Sequence, residues 1–184
     1  EIEILIDELN DNKVNLIFKI KLGEKAKIKK ITFVGNKIFK DSKLKRVIVS
    51  EEYKFWKFLS GKKYLNENLL KFDEQLLKNF YLNKGYYNVL INSSFAKKFD
   101  DSSFELIFNI DAKNKVYFGD LKLDLPDDYN VKNFEEIINV FNKTKNTTYS
   151  LNKIKNILDE IDQVVLNEQY ESINASVDEK LNDD

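Results

Sequence analysis

The chain contains no histidine, no cysteine and no methionine among its 184 residues. Without histidine there is no imidazole base or imidazole metal ligand, and without cysteine there is no disulfide, zinc–thiolate site or thiolate nucleophile. Carboxylate, hydroxyl, lysine and tyrosine chemistry remains, but these side chains form no catalytic pattern in the sequence. We therefore expect a protein that is not an enzyme, with no catalytic residues, no cofactor and no metal site.

An excess of charge of one sign is also missing, because 30 basic residues stand against 31 acidic ones and Arg46 is the single arginine. A nucleic-acid-binding protein is expected to carry a basic excess with arginine as its phosphate reader. An RNA-binding KH module would also need a Gly-x-x-Gly loop, and no two of the five glycines lie three residues apart. We expect no nucleic-acid partner.

Long hydrophobic runs are absent too. No apolar stretch approaches the roughly 18 residues of a membrane helix, and none has the basic flank of a signal peptide. The sequence starts at Glu1 and has no methionine, so we expect an internal piece of a longer protein. Paired aspartates lack the spaced ligands and glycine of a calcium loop, so we interpret them as turn residues. These pairs are Asp100 and Asp101, Asp127 and Asp128, and Asp183 and Asp184.

What the sequence does contain is an internal repeat of about ninety residues. The pattern Leu-Ile-Phe-x-Ile at residues 16–20 returns at residues 106–110, an offset of 90. A second apolar series matches at an offset of 85 residues, pairing Leu69, Phe72, Leu76 and Phe80 with Ile154, Ile157, Ile161 and Val165. Because each series keeps one offset throughout, chance is a poor explanation.

The first half of one unit predicts a strand followed by a short helix. Residues 27–34 place apolar side chains among polar neighbours, and the turn signal Gly35-Asn36 follows directly. Asp41 or Ser42 can cap a helix. Its apolar positions fall at helical spacing on Leu44, Val47 and Ile48.

The second half of the unit predicts a longer helix and a hairpin. The helix follows Asn66, and Gly85 is well placed as its left-handed C-terminal cap. Two strands then run from Tyr87 to about Ser94 and from Phe104 to Ile110. The latter strand alternates least, which predicts a central place in the sheet and leaves the first and second strands of the unit as edges.

We therefore predict the α+β class, built from tandem β-α-α-β-β units that each form a three-stranded mixed sheet with two helices on one face. Residues 1–23 are predicted as the C-terminal hairpin of a preceding unit and residues 24–112 as a complete unit. Residues 113–184 are predicted as a following unit that lacks its last strand, with its second strand at residues 171–178.

The complete unit resembles the POTRA modules of the BamA family of outer-membrane protein assembly factors, and most closely the third module, with the end of a second module before it and a fourth after it. The residues that carry the resemblance are Gly35-Asn36 with Phe39, Glu51-Glu52 with Phe55-Trp56, Tyr64, Leu69, Asp73, Leu76, Tyr81 and Gly85-Tyr86. The following unit departs from the pattern, because Gln169-Tyr170 replaces the Gly-Tyr pair.

The resemblance implies a scaffold at the periplasmic face of the outer membrane. Its expected partners are unfolded outer-membrane protein clients, the lipoproteins of the assembly machinery and a C-terminal β-barrel of the same protein outside this segment. The POTRA region of a TamA-like transporter or of a two-partner secretion transporter is the alternative.

An edge strand that accepts a client strand is the main site that we predict. Such an edge presents unpaired backbone groups, so an extended client can add to it as a further strand with little demand on sequence. A solvated edge, or one covered by the neighbouring unit, is the alternative. The predicted edge residues are Tyr87, Asn88, Val89, Leu90, Ile91, Asn92 and Ser93.

The aromatic stretch between the two predicted helices is the second candidate site. Phe55 and Trp56, the only tryptophan, could form a lip that binds a partner, or a lid packed on the core. Large aromatic side chains are usually recruited to bury area. The sequence therefore favours the core lid, with the partner lip as the alternative.

Overall fold

The computed structural model describes residues 2–9, 13–20, 25–56, 61–100, 103–127, 129–170 and 175–181. Within these ranges the fold is a mixture of α-helices and β-strands, as predicted. No helix in the described ranges is both long and apolar enough to cross a membrane. Several residues with a predicted role lie outside the described residues, namely Asp101, Asp128, residues 171–174, Asp183 and Asp184.

The central part of the chain forms a three-stranded mixed sheet. Its strands are β3 at Lys27–Asn36, β4 at Leu90–Asp100 and β5 at Ser103–Asp111. The order is β3-β5-β4, with β3 parallel and β4 antiparallel to β5. The prediction that the last strand of the unit is central and that the other two are edges is confirmed.

One face of this sheet is covered by the helix α2 at Glu67–Leu82. The side chain of Asn66 caps this helix by accepting a hydrogen bond from the N–H of Leu69. The predicted start of the helix after Asn66 is confirmed. The core consists of buried apolar side chains from the sheet, from α2 and from the chain before it, including Ile28, Ile31, Leu44, Leu77, Tyr81, Leu106, Phe108 and Ile110.

The first helix is shorter than predicted, because α1 spans only Asp41–Leu44. Lys40 occupies the capping position without a side-chain hydrogen bond, whereas the carboxylate of Asp41 pairs with the ammonium group of Lys37. The predicted capping role of Asp41 or Ser42 is therefore wrong. The chain after α1 is held instead by the fully buried Asp73 of α2, whose carboxylate accepts the backbone N–H groups of Val49 at 2.6 Å and Ser50 at 3.1 Å.

The N-terminal residues form a separate hairpin of β1 at Ile2–Leu9 and β2 at Lys13–Ile20. The register pairs Ile4 with Phe18 and Ile6 with Leu16. Because cross-strand partners share a face, the even-numbered positions make one face almost wholly apolar. Its side chains remain exposed, namely Ile2, Ile4, Ile6, Val14, Leu16, Phe18 and Ile20.

The C-terminal part contains the helices α3 at Glu135–Thr144 and α4 at Leu151–Asn167, preceded by a short 3-10 helix at Val131–Phe134. Leu121 and Leu123, which lie 90 residues after Ile31 and Phe33 of β3, pack against the helices without belonging to a ladder. Residues 175–178, predicted as part of a second strand, are likewise not in a strand. A ladder needs a neighbouring strand, and the one bridge found in the described part of this segment joins Tyr117 to Thr148.

The ends of α2 and α4 have the same geometry in spite of different residues. Gly85 has φ 92°, and Gln169 has φ 56° at the equivalent place. The following tyrosines, Tyr86 and Tyr170, each donate their N–H to a carbonyl five residues earlier, at 3.0 and 3.1 Å. The departure of Gln169 from the Gly-Tyr pattern therefore leaves the left-handed cap intact.

Candidate functional site

The predicted client-binding strand begins later than the sequence indicates. Leu90, Ile91, Asn92 and Ser93 lie in β4, but Tyr87, Asn88 and Val89 precede it. The N–H of Val89 bonds to the carbonyl of Tyr86, its side chain is buried in the core, and the ring of Tyr87 packs on that of Tyr149. The turn after Gly85 thus extends to Val89, and the edge runs from Leu90 onwards.

The orientation of β4 is fixed by a hydrogen bond at Ser93. Its backbone N–H donates to the carboxylate of Glu74 on α2 rather than to β5. In an antiparallel pair the backbone groups of successive residues point alternately toward and away from the partner strand. The backbone N–H and C=O groups of Ile91 and Phe95 therefore also point to the outer edge. Those of Asn92 and Ser94 point to β5.

The opposite edge of the sheet, on β3, is closed by other parts of the chain. The carbonyl of Ala26 accepts the N–H of Leu65 at 2.8 Å, and the carbonyl of Ile28 accepts the N–H of Tyr53 at 2.6 Å. Further along, the N–H of Ile31 donates to Glu52 at 3.0 Å, and the carbonyl of Phe33 accepts the ammonium group of Lys37 at 2.9 Å. A strand could add to β3 only by breaking these bonds.

Glu52 is held in its charged form at this edge. Partial burial raises its pKa, but the hydrogen bonds from Lys45 and from the N–H of Ile31 outweigh burial and lower the pKa of Glu52 below its ordinary value. The carboxylate is therefore ionised at neutral pH, and its hydrogen bond to Ile31 holds the segment before Phe55 at the β3 edge.

Of the two edges of the three-stranded sheet, β4 is consequently the more accessible one in the described residues. Its single described cap is the Glu74 carboxylate at Ser93. Apolar surface flanks this position, because Leu90 is 56% exposed and Phe95 is 50% exposed. An extended apolar segment would find backbone partners and side-chain contacts along the same line.

The second candidate site is exposed, so the prediction of a core lid at Phe55 and Trp56 is wrong. Phe55 is 78% exposed and Trp56 is 60% exposed, and their rings pack edge to face on each other at 4.7 Å. Tyr53, two residues before Phe55, is held at the β3 edge by the hydrogen bond from its N–H to the carbonyl of Ile28. Phe55 and Trp56 therefore follow a segment bonded to the β3 edge, which is the edge opposite β4.

A third feature is the junction between the end of α2 and the start of α4. The side-chain oxygen of Asn83 accepts the N–H of Asn152 at 2.7 Å and the hydroxyl of Ser150 at 3.1 Å, and the carbonyl of Gly85 accepts the N–H of Val116 at 2.7 Å. The junction therefore joins the two helical parts through hydrogen bonds as well as ring contacts.

A groove of about 600 Å³ opens beside this junction, between the chain that precedes α3, the helix α4 and residues 175–181. Glu179 lies at its rim and accepts the hydroxyl of Tyr149 at 3.3 Å. Burial and the charge of Glu179 raise the pKa of Tyr149, and the hydrogen bond to Glu179 raises the pKa of Tyr87. Both phenols are neutral donors at physiological pH.

The sequence did not indicate Glu74 or Glu52 as functional residues. Glu74 follows the buried Asp73 on a helix whose apolar spacing says nothing about which acid reaches the sheet edge. Glu52 belongs to a matched motif, but its bond to Ile31 depends on how the loop folds back. The described residues contain no cluster of acidic side chains suited to a metal ion.

Comparison with known proteins finds a family model that matches the central part of the chain. The family model described as "POTRA: Surface antigen variable number repeat" matches residues 26–113. The outer membrane protein assembly factor BamA of Neorickettsia risticii is 28% identical over 111 residues, which cover 60% of this chain and 15% of that protein. BamA of Neisseria meningitidis serogroup B is 33% identical over 86 residues, or 47% of this chain and 11% of that protein.

Two further comparisons extend over most of the chain. BamA of Buchnera aphidicola is 24% identical over 183 residues, which cover 98% of this chain and 29% of that protein. The crystal structure of Haemophilus influenzae BamA POTRA3-5 superimposes with a TM-score of 0.54 at 16% identity, covering 89% of this chain and 59% of that one. The structural match supports the fold. The chain spans less than a third of the length of each of these three curated relatives.

Proposed function

From the match of residues 26–113 to the POTRA family model, we propose that this chain is part of the machinery that assembles outer-membrane proteins, and that it binds unfolded clients by strand addition to β4. It acts as a scaffold rather than as an enzyme. Its place is the periplasmic face of the outer membrane, and its further partners are the accessory lipoproteins of the machinery and a β-barrel of the same protein.

The observation that carries this proposal is the difference between the two sheet edges. Four positions of β3 or the residue before it are bonded to other parts of the chain, at Ala26, Ile28, Ile31 and Phe33. In the described part of β4, a single outward backbone group is capped by a side chain. This is the N–H of Ser93, which donates to the carboxylate of Glu74, and that side chain can rotate away. Strand addition recruits main-chain groups, so the more open edge is the one that a client would use.

The domain arrangement is part of the same proposal. Residues 1–23 are the C-terminal hairpin of a preceding POTRA unit, residues 24–112 the complete unit and residues 113–184 a following unit. The exposed apolar face of the β1–β2 hairpin supports this arrangement, because a sheet face of that composition packs on helices in the complete unit. The order of α3 and α4 after residues 116–125 repeats the order of α1 and α2 after β3.

The curated relatives favour the assembly factor over a TamA-like or two-partner secretion transporter. All three relatives described above are named outer membrane protein assembly factor BamA. The names describe those proteins and support the same role for this chain.

A titration with an extended peptide of alternating apolar and polar residues tests the proposal. Backbone amide shifts of the labelled chain should concentrate on Leu90 to Phe95. The matched control is the same peptide with proline at alternate positions, which removes half of its N–H donors and should abolish the shifts. Shifts confined to β3 or to the helices would contradict strand addition at β4.

A further inference from the structure

One segment of the C-terminal part alternates like a strand but has no strand beside it. Its apolar residues Leu121, Leu123 and Leu125 are half-buried against the helices, whereas Lys122 and Asp124 between them are exposed. None of the five belongs to a β-ladder with another described residue. The residues 90 positions earlier belong to β3, which is paired with β5. Among the described residues of the C-terminal part, no strand fills the place that β5 has in the complete unit.

The groove of about 600 Å³ lies beside this segment. Residues 116–126 line one part of it and residues 175–181 another, and α4 contributes the apolar side chains of Ile154, Ile157 and Leu158. In the complete unit, the helix that matches α4 is α2, which shares one core with β5. The groove is therefore an apolar surface of the kind that the central strand covers in the complete unit.

The β2 strand carries the sequence pattern of such a central strand. The Leu-Ile-Phe-x-Ile pattern of residues 16–20 is the one that residues 106–110 place in the centre of the complete sheet. Leu16, Phe18 and Ile20 are each more than half exposed, whereas their counterparts in β5 are fully buried. A two-stranded hairpin alone is at best marginally stable in water. The hairpin therefore gains stability by covering a helical surface.

The charges on the outer faces also match. In the β3–β5 ladder, Val34 lies opposite Asn109. The residues at the equivalent places are Asp124 and, in β2, Lys19. Lys19 lies opposite Glu3 of β1. With the hairpin in the groove, Lys19 would lie between two carboxylates on neighbouring strands, an arrangement that stabilises strand pairing.

We propose that the β1–β2 hairpin of one copy of this chain docks into the groove of a second copy. Its β2 strand runs parallel to residues 121–125, and β1 takes the place of residues 175–181, which form no strand. Two copies that exchange hairpins form a closed dimer, whereas copies that do not exchange form a longer series. The interface is separate from the β4 edge, so it goes beyond the proposed binding of clients.

A second copy is favoured over other apolar strands for two reasons. The apolar face of the hairpin is exposed in its own chain, so it is available to another copy. The β2 strand also combines the repeated apolar pattern with a lysine at the place opposite Asp124. An unrelated apolar strand would match the groove without this charge.

Sedimentation equilibrium of the whole 184-residue chain, from about 1 μM to about 0.5 mM, tests the proposal. The mass should rise with concentration from 21.7 kDa to at least the mass of a dimer. The N–H of Ile31 points away from β5, so at the equivalent segment the N–H groups of Lys122 and Asp124 face the groove. Their hydrogen exchange should slow as the chain associates. A mass of one chain at all concentrations would overturn the proposal.

Variants of the hairpin locate the interface. The double variant Leu16→Glu and Phe18→Glu should lower the association constant by at least about fiftyfold, because two large apolar side chains lose their burial. Both side chains are exposed in the single chain, so the rest of the fold is retained. The matched control is Ile17→Glu, on the other face of β2, which should associate as the parent does. Equal losses in the two variants would overturn the proposed face.

A variant of the groove tests the charge match. Asp124→Lys places a like charge opposite Lys19 and should weaken association about threefold. Asp159→Lys makes the same change at an exposed position of α4 that does not line the groove, and it should have no effect. Equal effects of the two changes would show that net charge, and not the pairing with Lys19, controls association, which would overturn the proposed register.

The extended client peptide separates this interface from the proposed function. Added to the associated chain, it should shift amides of β4 and leave the mass unchanged. If it instead shifts residues 121–125 and dissociates the copies, the groove belongs to client strands and the proposal is overturned. Association without any shift in β4 would contradict client binding while supporting the contact between copies.

Discussion

The carboxylate of Glu74 on α2 accepts the backbone N–H of Ser93, which faces away from the sheet at the outer edge of β4. This bond closes one position of the more accessible edge of the three-stranded sheet. An unprotected edge strand is prone to pair with other copies of the same protein. A side-chain cap protects the edge, and it can leave when a client strand supplies a backbone carbonyl in its place.

Removing this cap should strengthen client binding. In Glu74→Ala the N–H of Ser93 is free, so an added strand need not displace a charged acceptor. We expect the affinity for the extended peptide to rise about fivefold, equivalent to about 1 kcal/mol, as measured by calorimetric titration. Gln75→Ala, one residue along the same helix, is the matched control and should leave the affinity unchanged. Unchanged or weaker binding of Glu74→Ala would contradict a competing role for Glu74.

The buried carboxylate of Asp73 should be one of the largest single contributors to stability among the polar side chains. Asp73→Ala leaves the N–H groups of Val49 and Ser50 without their acceptor inside the protein. We expect the free energy of unfolding to fall by about 3 kcal/mol, as measured by urea denaturation followed by circular dichroism. Asp159→Ala, at an exposed position of α4, is the control and should change it by less than about 0.5 kcal/mol.

The bond between Glu52 and the β3 edge should make stability depend on pH. The pKa of Glu52 is lower in the folded chain than its ordinary value of 4.5. Its contribution is therefore complete above that value and is lost as the pH falls through the lower pKa of the folded state. Glu52→Gln should be less stable than the parent by about 1 kcal/mol at pH 7.

The same difference should shrink below pH 4.5, when the carboxylate of the parent chain becomes protonated. Denaturation curves across the acidic range check this, with Glu160→Gln on the exposed side of α4 as the control. A difference that stays constant over the whole range would show that the charge of Glu52 is not what holds the loop.

The two left-handed caps predict opposite effects of exchanging their residues. Gln169 adopts φ 56°, which costs a residue with a side chain about 1 kcal/mol relative to glycine. Gln169→Gly should therefore raise the stability of the part that contains α4 by about that amount. Gly85→Ala should lower stability, because a Cβ there would also lie 2.5 Å from the side chain of Thr148. The melting temperatures of both variants check this prediction. Equal changes in the two melting temperatures would show that the left-handed caps do not matter.

The elements that follow from local signals were predictable from the sequence. Asn66, a polar residue before an apolar series at helical spacing, indicated where α2 begins. Gly85 indicated where it ends. The weak alternation of residues 104–110 gave the central strand. In each case the physical cause lies within a few residues, in a cap, a left-handed turn or burial on both faces.

Features that depend on tertiary contacts were not predictable. Tyr87 and Val89 alternate like a strand, but the ring of Tyr87 packs on Tyr149 and Val89 is drawn into the core. Trp56 is of a residue type that is usually buried, yet it is exposed. Its position depends on the path of the chain after Tyr53, which is bonded to Ile28 in a distant part of the sequence. In the described residues, neither residues 121–123 nor residues 175–178 form a strand. A strand needs hydrogen bonds to a neighbouring strand, and local sequence does not show whether such a neighbour is present.

Amide hydrogen exchange along β4, with and without the extended peptide, tests strand addition most directly. If a client pairs with this edge, the outward N–H groups of Ile91 and Phe95 should become protected. Those of Asn92 and Ser94, which face β5, should change little. This alternation is the predicted result. Uniform protection along β4, protection on β3 alone or no change at saturating peptide would contradict the account.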